Sequence, residues 1–213
     1  MLTPDTLQEK YSARRHEIEK RLDDFARISR QGDDALLSEL SFCICAANSS
    51  AEAASKAQRE LVESGLLFSQ DAPAVSAVLL SSGVRFHKNK AKYLMEARKE
   101  LFGKKGLEKT ILTHEEPTML RNALADEISG LGMKEAGHFL RNTGLATEVA
   151  ILDRHILKNM AGLGIIARRP KTLTRKRYIA IEKKMQRFCE KSGIPMAHLD
   201  LLMWSEETGR IFK

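Results

Sequence analysis

Cysteine is scarce in this chain. Cys43, Cys45 and Cys189 are the only three, an odd number without the spacing of a disulfide framework or of a four-cysteine zinc or iron–sulfur site. Cys43 and Cys45 lie two apart in an apolar stretch, so on a helix they face different ways. They read as buried structural thiols, with a reducing cytoplasm implied. The six histidines show no metal-ligand spacing, so no metal site is expected. No run of about 18 apolar residues occurs, which excludes a membrane-spanning helix. The opening MLTPDTLQEKYS lacks the apolar centre of a secretory signal. Alternating period-2 patterns never persist, so no sheet is expected. The glycine-containing segment Gly103–Thr110 lacks the Gly-Lys-Ser/Thr end of a phosphate-binding P-loop.

Acid is also in deficit. Lys and Arg number 35 against 28 Asp and Glu, a formal net charge of +7 over 213 residues. Such a balance suits a polyanionic partner, nucleic acid above all, and it equally suits a merely basic enzyme. With 43% hydrophobic and 30% charged residues the chain can bury a core.

What is abundant is helical periodicity. Leu7, Tyr11, Ile18, Leu22 and Phe25 make one stripe on a long first helix. Gly32-Asp33 restarts the chain, with Asp33 as the expected N-cap. Leu36–Ala47 is apolar nearly all round, as a central buried helix would be. A buried strand is the alternative, and Ala46 and Ala47 favour helix. Asn48-Ser49-Ser50 ends it and caps a helix over 52–64, which Gly65 stops. Further helices are expected near 72–81, 88–102, 117–127, 134–142, 154–161, 173–191 and 196–208. Pro73, Pro117 and Pro195 stand at starts, and glycines including Gly83, Gly106, Gly130, Gly144 and Gly193 stand at joints. The expected architecture is all-α.

Chemistry concentrates in Ile128–Gly144, ISGLGMKEAGHFLRNTG. A helix ends, Gly130-Leu131-Gly132 turns, and a new helix opens at Met133 or Lys134. The glycines permit positive φ and close backbone approach, and the turn's amides, with the helix N-terminus behind them, can point at a phosphate oxygen. This is a helix–hairpin–helix, which grips the DNA backbone without reading sequence. Taken alone, Gly-x-Gly is an ordinary joint and Lys134 one more solvated lysine. Two facts change that: Lys134 sits beside any phosphate the hairpin holds, and Asp153 follows 19 residues later in AILDRHIL, opening another helix. An amine so placed can attack C1′ of a deoxyribose as the base leaves, giving a Schiff base. A carboxylate beside it can stabilise the oxocarbenium-like sugar and help move protons. Asp153 also reads as a plain N-cap, and one oxygen can cap while the other faces the chemistry.

The run GLGMKEA followed by LDRHI resembles the helix–hairpin–helix DNA glycosylase superfamily with its Gly/Pro-Asp signature. It is closer still to the archaeal-type 8-oxoguanine DNA glycosylase/AP lyases, the second Ogg family. LSFCICAANSSAEAASKA, GVRFHKNKAKYL and the MWSEETGRIFK tail extend the resemblance over nearly the whole chain. The resemblance implies a two-lobed fold with the active site in the interlobe cleft, one lobe from 1–35 plus 146–213 and the other from 36–145. It assigns the nucleophile to Lys134 and the carboxylate to Asp153. Phe86 and Trp204 become the two faces of a base sandwich, and Lys213 the reader of the oxidised base. Asp200, one turn before Trp204, becomes a partner for the base or for Lys213. Gly130, Gly132, Lys88 and Lys90 are expected to contact DNA phosphates, and carbonyls near Ser129 and Leu131 to hold a monovalent cation. A larger basic set, from Arg85 to Lys92 and from Arg168 to Arg177, adds phosphate contacts and salt dependence. The cysteine cluster of iron–sulfur relatives is missing. Ala47-Asn48 stands where many relatives carry Gln-Asn or Gln-Gln. The implied activity is excision of 8-oxoguanine from duplex DNA followed by β-elimination, in a cytoplasmic monomer. The alternatives are a glycosylase for another damaged base and a non-catalytic DNA-binding module.

Overall fold

The computed structural model describes residues 2–103 and 116–213, the side chains of 100–103 excepted. Gly106, expected at a joint, and most of the Gly103–Thr110 segment lie outside them. The described residues form ten α-helices and a short 3-10 turn, Leu66–Phe68, with no strand among them. The helices are α1 (Pro4–Ile28), α2 (Asp33–Ala46), α3 (Ala51–Glu63), α4 (Ala72–Ser81), α5 (His87–Gly103), α6 (Pro117–Glu127), α7 (Met133–Asn142), α8 (Arg154–Gly162), α9 (Arg175–Ser192) and α10 (Met196–Thr208). The expected all-helical reading holds, and no described helix is long and apolar enough to cross a membrane.

Local chemistry explains most boundaries. Ser50 Oγ accepts from Ala53 N, Asp71 Oδ1 from Ala74 N and Thr174 Oγ1 from Arg177 N, each satisfying an orphan amide of a first turn. Asp33 differs from expectation. The cap position is Gly32, which makes no side-chain cap bond, and Asp33 lies inside the first turn. There a carboxylate meets the positive end of the helix dipole without donating geometry to the cap.

The chain divides into two compact units. One comprises Met1–Arg27 with Leu140–Lys213, and the other Ile28–Phe139. These boundaries fall at 27/28 and 139/140, inside α1 and α7, where the resemblance implied 35/36 and 145/146. In the 28–139 unit α2 packs on α3 and α5, and α4 on α5. Its centre is α2, where Leu36, Leu37, Leu40, Phe42, Cys43, Ile44 and Cys45 are all buried. Both cysteines are thus structural, and burial pushes the Cys45 thiol up to about 12. In the other unit α10 packs on α8 and α9, around Ile156, Met160, Tyr178, Met185, Leu199 and Leu202. Leu7, Tyr11, Ile18 and Phe25 form the buried stripe of α1.

That second core depends on one close backbone approach. Gly144 has φ +69, and a Cβ there would stand 2.5 Å from Ala26 Cα, a backbone atom of α1. Gly144→Ala is therefore expected to lower unfolding stability by about 3 kcal/mol, from left-handed strain and overpacking combined. Gly164→Ala, at φ +71 with nothing within 4 Å, is expected to cost only about 1 kcal/mol. Denaturant unfolding of both variants measures the difference, and equal losses would remove the packing term.

Candidate active site

The hairpin forms where the sequence placed it. α6 ends at Glu127, Leu131 N donates to Ile128 O at 3.1 Å, and Ala136 N donates to Gly132 O at 2.9 Å to start α7. Leu131 is buried and anchors the turn, while Ser129, Gly130 and Gly132 face outward. Only Gly130 uses positive φ, at +88. A Cβ on Gly130 would lie 2.6 Å from Tyr93 Cδ2, so this glycine is also what lets the hairpin sit against α5. The amides of Gly130 and Gly132 make no hydrogen bond among the described residues, which leaves them available to an anion.

Lys134 follows in the first turn of α7. Its side chain is 26% exposed, and Nζ lies 3.1 Å from Glu135 Oε1. Glu135 was not singled out from sequence, although it stands next to Lys134. It holds the ammonium in a defined place beside the turn.

Lys90 departs from the expected phosphate-contacting role. It is 4% exposed. Its ammonium donates to Cys45 O at 2.8 Å, Ala47 O at 2.5 Å and Ser49 Oγ at 3.1 Å. An ammonium has three donors, so none remains for a phosphate. Burial depresses its pKa to about 8, with Cys45 and Glu135 opposing and Lys134 and Arg85 adding to the fall. Lys88, by contrast, is exposed on the first turn of α5.

Phe86 is placed at a cost. It has φ +58, and its ring is 56% exposed with the Arg85 guanidinium 5.4 Å from its centroid. A left-handed backbone costs a residue with a Cβ about 1–2 kcal/mol, and exposure gains nothing back through burial. A strained, solvent-facing aromatic is what a stacking surface requires and what a packing role does not explain.

The remaining candidates belong to the other unit. Asp153 caps α8, and Oδ1 accepts both His155 N at 2.7 Å and Ile156 N at 2.8 Å. Oδ2 takes no hydrogen bond from the described residues, so one oxygen caps and the other is free. The segment leading to Asp153 is fixed by α9. Tyr178 Oη donates to Ala150 O at 2.6 Å and accepts Leu152 N at 3.2 Å, and Glu182 Oε1 accepts Ala150 N at 2.8 Å. The only local signal for this is that Tyr178 and Glu182 lie four apart on one helical face.

Asp200 does not match its expected base-contacting role. It is 4% exposed and ion-paired with buried Arg141, which also donates to Asn142 Oδ1. Burial pushes its pKa up to about 6, Arg141 pulling the other way and Asp153 adding to the rise. A carboxylate drawn inward by a buried arginine is not on the surface where a base would meet it. Trp204, one turn later, is half-buried and stacks on Phe212 with centroids 6.2 Å apart and planes at 28°. The tail is tied to α1 by Arg21 Nε donating to Phe212 O at 3.1 Å and Arg14 Nη2 donating to Gly209 O at 3.2 Å. Ile211, Phe212 and Lys213 are half-buried, so main-chain hydrogen bonds and the Phe212 ring hold the tail rather than full burial of Ile211.

Comparison with known proteins identifies the family. Residues 18–194 match the family model described as 8-oxoguanine DNA glycosylase. An 8-oxoguanine DNA glycosylase/AP lyase of Fusobacterium nucleatum is 40% identical over 199 residues, 92% of this chain and 91% of that protein. One from Korarchaeum cryptofilum is 35% identical over 212 residues, 100% of this chain and 98% of its own. Among solved structures, the Methanocaldococcus jannaschii 8-oxoguanine glycosylase/lyase in complex with a 15mer DNA containing 8-oxoguanine aligns with a TM-score of 0.87 and 30% identity. The match covers 98% of this chain and 100% of that one. The Thermotoga maritima 8-oxoguanine DNA glycosylase aligns with a TM-score of 0.84 and 32% identity, over 98% and 99%. All-helical among its described residues and matched along nearly its whole length by proteins of this one kind, the chain belongs to the 8-oxoguanine DNA glycosylase family.

Proposed function

We propose that this chain excises 8-oxoguanine from duplex DNA and then cleaves the strand at the abasic site it has made, acting as a monomer in the cytoplasm beside the chromosome. The observation that carries the reading is Lys134, whose amine stands half-exposed in the first turn after the hairpin. The names of the relatives and the lesion-containing DNA of the M. jannaschii structure support the choice of substrate.

In this reading the free amides of Gly130 and Gly132 receive a backbone phosphate and thereby place the sugar, and Lys88 adds charge nearby. The lysine amine attacks C1′. The C1′–N bond breaks, and the base leaves with the bonding electrons and takes up a proton. Lys134 must first give up a proton, and Glu135, 3.1 Å away, can receive or relay one. The free Oδ2 of Asp153 stabilises positive charge on the sugar. The amine nitrogen then loses a proton and the C1′–O4′ bond breaks, O4′ taking up a proton, which gives the Schiff base; loss of a C2′ proton next expels the 3′ phosphate, and hydrolysis returns the lysine. Phe86 offers its exposed ring to the extruded base and Trp204 the second aromatic face, with Lys213 reading the oxidised edge. Among the described residues, the carbonyls of Ser129 and Leu131 accept no backbone hydrogen bond. They fit a monovalent cation, which would fix the turn's shape and add positive charge beneath the phosphate.

Two outcomes are expected. Borohydride added during reaction with an 8-oxoguanine duplex traps a covalent complex with the wild type. Lys134→Gln traps none and lowers excision by more than about 100-fold. Full trapping by Lys134→Gln removes that residue from the chemistry, and a stronger signal from another lesion in a parallel panel replaces the substrate. Separately, Phe86→Gly is expected to leave the unfolding midpoint unchanged or slightly raised. Relief of about 1 kcal/mol of strain offsets about 1 kcal/mol of added unfolded-chain entropy. The same variant loses about tenfold in excision, the scale of one base–aromatic stacking contact. A large drop in stability would instead make Phe86 a packing residue.

A further inference from the structure

Among the described residues only two other than glycine have positive φ, Asn48 at +56 and Phe86 at +58. They lie on different turns, Asn48 between α2 and α3 and Phe86 between α4 and α5. Asparagine tolerates this conformation, whereas for phenylalanine it is an outlier that the surroundings must enforce.

The two turns meet at one atom. Ser49 Oγ accepts Arg85 N at 2.9 Å and Lys90 Nζ at 3.1 Å. A hydroxyl oxygen has two lone pairs, so both are spent, one on the residue before Phe86 and one on α5. Lys90 closes the circuit from both ends. Its backbone N donates to Phe86 O at 3.0 Å, and its ammonium takes the carbonyls of Cys45 and Ala47. Those carbonyls belong to the last turn of α2, where unpaired carbonyls and the negative end of the helix dipole favour a cation. The side chain is buried and wholly committed to these acceptors, although solvent lies close to both turns it joins. Lys92, two residues further along, is exposed, so basic residues on this helix need not be buried.

We infer that Lys90 is a positioning residue. With Ser49 it latches the Ala47–Ser50 turn to the Gly83–His87 turn and so holds Phe86 in the left-handed conformation that presents its ring outward. The inference rests on the reading of Phe86 as a base-stacking surface, and it adds that the surface is set by a buried ammonium contributed from one helical turn away. The latch serves extrusion and stacking of a base. It has no bearing on β-elimination at a site that carries no base.

The test is a pair of double-mutant cycles measured under single-turnover conditions on two duplexes, one containing 8-oxoguanine and one a preformed abasic site. Lys90→Met keeps the aliphatic stem and removes the donors. It is expected to slow excision roughly tenfold, as loss of one base–aromatic stack would, while elimination at the abasic site changes by less than about twofold. Combined with Phe86→Ala it is expected to slow excision no further than Phe86→Ala alone, within about twofold, because both variants remove the same presented ring. Ser49→Ala removes only a hydroxyl and carries the same cycle if Lys90→Met does not fold, with an expected loss of about threefold. The inference is overturned if both variants excise at the wild-type rate, if excision and elimination fall in proportion, or if the effects of Lys90→Met and Phe86→Ala multiply. A wild type that excises no 8-oxoguanine overturns the proposed function itself, and the latch with it. An active wild type with multiplying effects overturns the latch alone.

Discussion

Burial of one ammonium under the carboxy-terminal carbonyls of α2 organises the unit that carries Lys134. Desolvating a charged amine is unfavourable, and it is tolerated here because all three donors find oxygen acceptors and the helix end adds negative potential. Once the charge is fixed, the geometry of α5 follows. Phe86 precedes the helix, Lys90 lies one turn in, and Tyr93 lies three residues further on the same side. The tyrosine ring packs where a Gly130 Cβ would be. One helix therefore sets the exposed aromatic at its start, the α2–α3 turn through its lysine, and the hairpin through its tyrosine. Lys134, immediately after that hairpin, inherits its position from the same helix.

The unit that carries Asp153 solves a similar problem by a different route. A carboxylate that serves as an N-cap is held by backbone amides, which fix its direction more tightly than another side chain would. Because Oδ1 takes both amides, Oδ2 stays free without loosening the group. The approach to the cap is held by Tyr178 and Glu182, which bond the backbone at Ala150 and Leu152. Gly144 permits the close passage against Ala26 that brings the chain out of α7 toward this segment. Precision at one carboxylate thus rests on residues that touch no substrate in the proposed reaction.

Much of this was legible in the sequence, and the boundary between what was and was not has a physical basis. Helix limits were readable because capping serines, aspartates and prolines act on neighbours within four residues. The hairpin and the capping role of Asp153 were readable for the same reason. Lys90 was not, because its burial depends on carbonyls some 45 positions earlier, and a lysine among lysines on a helix ordinarily faces water. Asp200 misled in the same way, since its direction is decided by Arg141, 59 residues away. The roles of Tyr178 and Glu182 rest on contacts of 26 to 32 residues' separation. Phe86 lies between these cases. Its place after a glycine turn was visible, but the latch inferred to hold its positive φ runs from Lys90 to Cys45, Ala47 and Ser49, outside the segment. Local chemistry writes itself into sequence, whereas the partner of a buried charge does not.

The two lysines show why a perturbed pKa cannot by itself nominate a nucleophile. Lys90 has the depressed value, about 8, and by the usual association between shifted pKa and function it would be chosen as the attacking amine. Attack requires a free lone pair within reach of an incoming carbon. When Lys90 is protonated its hydrogens are committed to three oxygens, and when it is neutral its surroundings are acceptors that offer no path to a sugar. The same burial that lowers the pKa also closes the access. Lys134 differs in access, with one ion pair to a neighbouring carboxylate and a partly exposed amine beside free backbone amides that can place a phosphate. Accessibility and a docking point for the substrate decide between them, and both favour Lys134. The depressed pKa of Lys90 is then understood as the electrostatic cost of a structural fastening, offset by the carbonyls it holds.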